Sequence, residues 1–235
     1  MFCHVCGAQV PDRTQYCPNC GQLVAPPVSP IGAPLGPAVP WTPPTSVTLQ
    51  TGRWIGIGWE MVKADLVTFA LLAIVFSLLS GMVPVIIQGA LMAGFHIFCI
   101  KKMFNRQAEF ADLFKGFNYF VPTLVASLLI SLFVFLGTLA CLIPGLVVAA
   151  MYKFTYLFIL DKRMDFWPAM QASHAVVKND YLGFSLFLVV LFLINLLGLL
   201  CCIVGVFVTV PLSIAAITAA YRDVVGFETA TAETV

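Results

Sequence analysis

Four cysteines near the start of the chain carry the clearest chemistry. Cys3 and Cys6 form one C-x2-C pair, Cys17 and Cys20 form a second, and ten residues separate the two. A glycine follows each pair, Gly7 and Gly21, which permits the tight turn that lets backbone N–H groups face the thiolates. Four thiolates converging at about 2.3 Å on one tetrahedral ion is the geometry of structural zinc. A redox dithiol needs a single C-x-x-C, not two with knuckle glycines. Four protein ligands also leave no open coordination position, which argues against a catalytic metal. His4 is too close to Cys3 to replace a ligand and reads as a solvated surface residue. The expected metal set is Cys3, Cys6, Cys17 and Cys20, with Zn2+ as a structural cofactor.

Residues 1–24 are too few to bury a sufficient apolar core, so metal binding should supply most of the folding free energy of this zinc ribbon. Its charged side chains, Asp12 and Arg13, cancel, and the whole chain carries a formal net charge of only +1. That balance gives no electrostatic footing for a nucleic-acid partner. The ribbon is followed by Gln22–Gln50, which holds eight prolines and no charge. Such a segment, taken as residues 25–50, reads as a disordered tether with stretches of polyproline II. No basic residue flanks the prolines, so a ligand for a proline-binding module is the weaker reading.

The remainder is a different material. The chain is 60% hydrophobic and 10% charged, with a mean hydropathy of +0.98, against about 25% charged residues in ordinary soluble domains. No Asp, Glu, Lys or Arg occurs from Leu66 to Ile100 or from Tyr181 to Tyr221, nor from Phe120 to Tyr152. Each run is too long for one membrane span and suits two joined by a tight turn. The turns expected are Ser80–Pro84, Cys141–Gly145 and Cys201–Gly205. Arg53, Lys63, Lys101, Lys102, Arg106, Lys115, Lys162, Arg163, Lys178 and Arg222 all fall where the runs begin or end. The positive-inside rule makes that side cytoplasmic. Both termini then lie inside, where a reducing compartment suits thiolate ligation. No cleavable signal is expected, because cysteines and polar residues stand where an apolar stretch would be needed, and the first span serves as insertion signal.

The expected architecture is an all-α membrane bundle of about six transmembrane helices in three hairpins, with interfacial helices and an N-terminal four-cysteine zinc ribbon. The multi-pass domain covers 51–226 and a disordered tail 227–235. One weakness is visible in the first run, which as helix reaches about 52 Å against roughly 60 Å for two crossings. It either borrows a turn from the segment before it or is re-entrant.

An apolar stripe precedes each run. Trp54, Ile55, Gly58, Trp59, Met61 and Val62 form the first; Phe110, Leu113, Phe114 and Phe117 the second; Phe166, Trp167, Met170 and Val177 the third. These suit helices lying in the headgroup layer. Trp54, Trp59, Tyr119, Trp167, Tyr181 and Tyr221 would form an inner aromatic belt. An offset of sixty residues aligns Ser80–Ile87 with Ala140–Val147 and Leu200–Phe207, and takes Lys101–Lys102 to Asp161–Lys162 and Tyr221–Arg222. Such an offset suggests one supersecondary unit repeated in series.

Lys178, Ile203, Gly205, Pro211 and Tyr221–Arg222–Asp223 carry a resemblance. Over residues 55–235 the chain resembles bacterial six-helix integral membrane proteins, including the membrane domain associated with some glycerophosphodiester phosphodiesterases. The resemblance implies the bundle, not the activity, since no phosphodiesterase catalytic domain accompanies it.

Within the spans, Lys153 is the one formal charge. It either snorkels to the inner headgroups along Tyr152 and Tyr156 or meets a substrate or counter-ion. Gln88, His96 and Asn195 suit interhelical hydrogen bonds, and His174 a solvated interfacial position. Cys141, Cys201 and Cys202, at expected outer turns, read as small apolar packing residues, with a disulfide the alternative. No paired carboxylates, Ser/His/Asp set or open metal site stands among the spans, so an enzyme is not expected. The expected function is a plasma-membrane scaffold or regulator whose zinc head recruits a cytosolic partner. A small transporter or lipid-handling protein is the alternative.

Overall fold

The computed structural model describes residues 43–44, 48–82, 86–200, 205–228 and 231, which belong to the unit Pro37–Val235. The zinc cysteines, most of the proline-rich linker, residues 83–84 of the first expected turn and 201–204 of the third lie outside the described residues, while Ser80–Met82 of the first turn belong to helix. Among the described residues the regular structure is helical, with no strand.

Ten α-helices follow in order: α1 Thr51–Ala64, α2 Leu66–Met82, α3 Gln88–Met103, α4 Asp112–Lys115, α5 Phe120–Ala140, α6 Leu142–Met151, α7 Thr155–Asp161, α8 Phe166–Val177, α9 Tyr181–Leu200 and α10 Val206–Val224. Short 3-10 turns at Gly116–Tyr119 and Lys178–Asp180 lead into α5 and α9. Among the described residues, four helical stretches are long and apolar enough to cross a membrane: Asp112–Leu139, Pro144–Asp161, Phe166–Leu200 and Val206–Val224. The pair Thr51–Ala64 and Leu66–Gly81, bent by 99°, makes a fifth if counted as one span. The shortfall against six lies in the first charge-free run. α2 and α3 have 17 and 16 residues, each about 25 Å of helix against a hydrocarbon layer of about 30 Å.

α5 and α9 leave rows of large apolar side chains exposed, among them Val121, Leu128, Phe135, Leu139, Leu182, Leu186, Phe192 and Leu200. In water such surface would be costly; it suits contact with lipid. α10 is the opposite, with a largely buried surface that packs on α1, α2, α3 and α9. Ser213, Ala215, Ala216, Thr218, Ala219 and Ala220 are all buried, and small side chains let helix backbones approach closely.

That approach redirects the first apolar stripe. Trp54, Gly58 and Val62 face inward at i, i+4, i+8 spacing, and α1 lies along α10. A Cβ on Gly58 would stand 3.0 Å from the Ala216 nitrogen and the Leu212 carbonyl. The Trp54 ring stacks on Phe184, packs edge-on to Phe187, and donates its Nε1–H to Asp223 at 3.2 Å. Trp54 and Tyr221, expected in an aromatic belt, are fully buried, whereas Trp59 and Trp167 remain exposed.

The second stripe is also turned. Phe110, Phe114 and Phe117 are exposed and continue to Phe120 as a ladder of rings 6.1–6.4 Å apart. The buried face is that of Asp112, Leu113 and Gly116, because α3 presents glycine and alanine there. A Cβ on Gly94 would overlap the Leu113 carbonyl. With that backbone contact closed, Asp112 is carried in as well and takes Lys101 at 2.7 Å, Lys115 at 2.6 Å and the Glu109 amide at 2.8 Å.

The α1–α2 corner is held at Asp65. Its carbonyl accepts the first bond of α2 from Phe69, and its carboxylate takes Thr68 Oγ1 and Lys102 Nζ, each at 2.7 Å. Those two hydrogen bonds, Lys102 first, hold the carboxyl below the usual aspartate range.

Gly94→Ala should lower the stability of the bundle in detergent by about 1–3 kcal/mol or more, as overpacking does, read as a lower melting temperature by fluorescence-detected gel filtration. For Asp65, a depressed carboxyl contributes stability that is fully present above its unfolded pKa and lost as pH falls through the folded value. Asp65→Asn keeps the bond from Thr68 and removes the charge. Its melting temperature should fall below wild type at pH 7 by an amount set by a pair worth under about 1 kcal/mol. That gap should persist to about pH 5 and close below about pH 4.

Candidate functional site

The site begins at a break in a helix. α6 ends at Met151 and α7 starts at Thr155, with Tyr152, Lys153 and Phe154 in turns between them. An interrupted helix in an apolar setting releases backbone groups that need new partners. Ser173 of α8 supplies them, donating its hydroxyl to the Met151 carbonyl at 2.6 Å and accepting the Phe154 amide at 3.2 Å. Ser173 is fully buried, so the turn that carries Lys153 is fixed from a neighbouring helix.

Lys153 lines a cavity of about 190 Å³ between the break, α3 and α5. Gln88, Met92 and His96 contribute from α3; Ser127, Ile130, Ser131 and Val134 from α5; Ala149, Tyr152 and Tyr156 from the helix that carries the lysine. Gln88 and Ser131 are exposed, Lys153 and the two tyrosines are partly buried, and His96 is buried. The cavity therefore runs from a mouth beside Gln88 and Ser131 to a floor at His96. Among the described residues no carboxylate pairs with Lys153.

His96 is oriented from α10. The Thr218 hydroxyl donates to the Ile214 carbonyl at 2.8 Å and lies 2.8 Å from His96 Nδ1. A hydroxyl that donates to the Ile214 carbonyl can accept from Nδ1–H, and in that arrangement Nε2 is left as an acceptor. Asn195 is placed by similar bonds, donating Nδ2–H to Ser213 and to the Leu191 carbonyl, both at 2.7 Å. His96 and Asn195 thus make the interhelical bonds their positions suggest, while Gln88 opens on the cavity. His174, expected in solvent, is instead 2.8 Å from the Tyr181 hydroxyl.

A second polar cluster joins the charged helix ends. Asp161, buried at the end of α7, accepts the Tyr221 hydroxyl at 2.9 Å and the Glu228 amide at 3.0 Å, with Lys162 Nζ at 3.3 Å. Thr231 bonds the Asp161 carbonyl at 3.1 Å, and Phe227 packs against Tyr221 and Phe104. Phe227, Glu228 and Thr231, in the segment expected to be a free tail, are thereby held to the bundle. Pro44, in the expected linker, accepts a hydrogen bond from Asn179 at 2.8 Å.

Cys3, Cys6, Cys17 and Cys20 lie outside the described residues, as do Cys201 and Cys202; Cys141 is an exposed free thiol. No cluster of metal-ligating side chains occurs among the described residues. Ser173, Thr218 and Ser131 escape sequence reasoning, because a lone serine or threonine in an apolar helix carries no periodic or spacing signal.

A family model of the zinc-ribbon domain matches residues 2–24, the span of the four cysteines. Nothing among curated proteins or solved structures matches the chain. The likeness of the membrane region to the phosphodiesterase-associated domain therefore rests on the residues quoted for it.

Ser173→Ala should leave the Met151 carbonyl and Phe154 amide without their partner, at a cost of about 1–3 kcal/mol. The melting temperature of the purified protein should drop, while Ser173→Thr, which keeps the hydroxyl, should recover part of the loss.

Proposed function

We propose that this chain is a multi-pass integral membrane protein that displays a zinc-folded head on a proline-rich tether. In this reading the head recruits a cytosolic partner and the protein acts as a scaffold or regulator without catalysis. The observation that carries the reading is the match of residues 2–24 to a zinc-ribbon domain, with its four cysteines in two closed pairs. All four ligand positions are used in folding the head, which leaves its surface, not its metal, to do the work.

The membrane part is read as six crossings in three hairpins, α2 with α3, α5 with α6–α7, and α9 with α10, with both termini in the cytoplasm and the bundle in the plasma membrane. Cross-element pairs support a single charged face. Arg53 meets Asp223 at 3.8 Å, Lys102 meets Asp65, Lys101 meets Asp112, and Lys162 meets Glu228 at 3.5 Å. These contacts pair charged residues that border the apolar runs, as expected if they share a cytoplasmic face.

Three measurements test this. Wild type should carry about one zinc per chain by elemental analysis, and Cys17→Ser with Cys20→Ser should lose it. In cross-linked native membranes the same double variant should lose a reproducible protein partner while its bundle still inserts. An unchanged partner set in the zinc-free variant contradicts recruitment through the head. In a background where Cys141, Cys201 and Cys202 are serine, introduced thiols at Met82, Leu142 and Val204 should react with an impermeant reagent on intact cells, and those at Asn105 and Met164 should not. The reverse pattern would overturn the orientation.

A further inference from the structure

We propose that the cavity at the α6–α7 break binds the carboxylate head of a long-chain fatty acid that enters from the lipid. The proposal goes beyond recruitment by the zinc head and rests on the helices crossing the bilayer.

The ligand class follows from charge. A cation inside a span without a paired carboxylate is costly in hydrocarbon and marks a functional site by default. Lys153 brings one positive charge, and its ammonium has three N–H donors. His96, held at Nδ1 by Thr218, lines the same cavity; with Nε2 taking one of these donors, two remain for an oxyanion. One cation neutralises one negative charge, which matches a carboxylate. A phosphate monoester, at about −1.5 to −2 near neutrality, would remain charged in a low-dielectric cleft with no second cation on its lining.

The source follows from the mouth. Ser131 is exposed eleven residues into α5, about 16 Å along the helix from its charged end. The exposed neighbours on α5, Leu128, Leu132 and Phe135, are apolar, so on its Ser131 side the opening faces lipid tails. At about 190 Å³ the cavity is smaller than typical ligand pockets of about 300–1,000 Å³. It therefore suits a head group, with the chain left among the lipids.

The test uses full-length protein in nanodiscs of zwitterionic lipid, with cis-parinaric acid as the fluorescent probe. Co-elution with the disc reports membrane insertion separately from binding; protein that does not enter the disc overturns the bilayer reading and this inference with it. In inserted protein, oleate should displace the probe, whereas oleyl alcohol and butyrate at equal concentration should not. Lys153→Gln should weaken probe affinity at least about tenfold, as loss of a charge-assisted hydrogen bond does, and Lys153→Arg should retain most of it. Ser131→Trp, at an exposed position that tolerates bulk, should also weaken binding by narrowing the mouth. Equal competition by oleyl alcohol, or wild-type affinity in a folded Lys153→Gln protein, would overturn the carboxylate site. Equal competition by butyrate would overturn the lipid source.

Discussion

Helices in hydrocarbon gain little from burying apolar side chains against one another, since lipid tails are as apolar as leucine. Their association depends on close backbone approach and on hydrogen bonds between them. The rest of this bundle depends on how α10 meets that constraint. Its inner turns carry serine, threonine and alanine, and α1, α2, α3 and α9 all pack on it. Glycine at position 58 lets α1 come within backbone contact, and the Trp54 ring then fills the space towards α9 beside Phe184 and Phe187. A large side chain in the middle of α10 would push these neighbours apart together.

Polar side chains are few in this setting, and three of them hold elements in place. Thr218 holds His96 across the α3–α10 contact, and Ser213 does the same for Asn195 across α9–α10. Ser173 closes the backbone released where α6 gives way to α7. Each is worth most where water cannot compete. Two of them bear on the cleft that holds Lys153: Thr218 orients His96, and Ser173 fixes the turn that carries the lysine. The lysine sits at a helix break for a physical reason as well. A turn there changes the direction of its side chain relative to the helix face, so Lys153 projects with Tyr152 and Tyr156 into one cavity.

Ionic contacts gather at the opposite pole of this economy. Asp65, Asp112, Asp161 and Asp223 each sit where two or more elements end, and each accepts hydrogen bonds from partners on another element. Asp161 and Tyr221 stand sixty positions apart, the same offset at which the sequence echoes itself. Equivalent ends of successive units have thus become partners in one cluster, and the segment after α10 is pinned there through Glu228 and Thr231.

Much of this could be read along the chain. Two C-x2-C pairs with knuckle glycines point to a structural zinc head, and the span that holds them matches a zinc-ribbon domain. The second and third charge-free runs overlap the helices that are long and apolar enough to cross a membrane, because an ionic group in hydrocarbon is too costly to place at random. Stripes were less informative. The periodicity of Phe110, Leu113, Phe114 and Phe117 marks a helix-like turn correctly but not its inward side, which Gly94 and Gly116 decide by allowing the backbones to touch. The Trp54 stripe likewise faces α10, not headgroups. Periodicity states that a face is apolar; whether that face meets lipid or protein is set by shape complementarity with helices far away in sequence. For the same reason the cleft was out of reach. His96 and Thr218 are 122 residues apart, and Ser173 lies 22 residues beyond the carbonyl it satisfies. Residue types and spacing determined the metal chemistry and the solvent each segment requires, since those are local properties. Only the packed bundle decided which polar side chains share a cavity, since that depends on which helices can approach closely enough to touch.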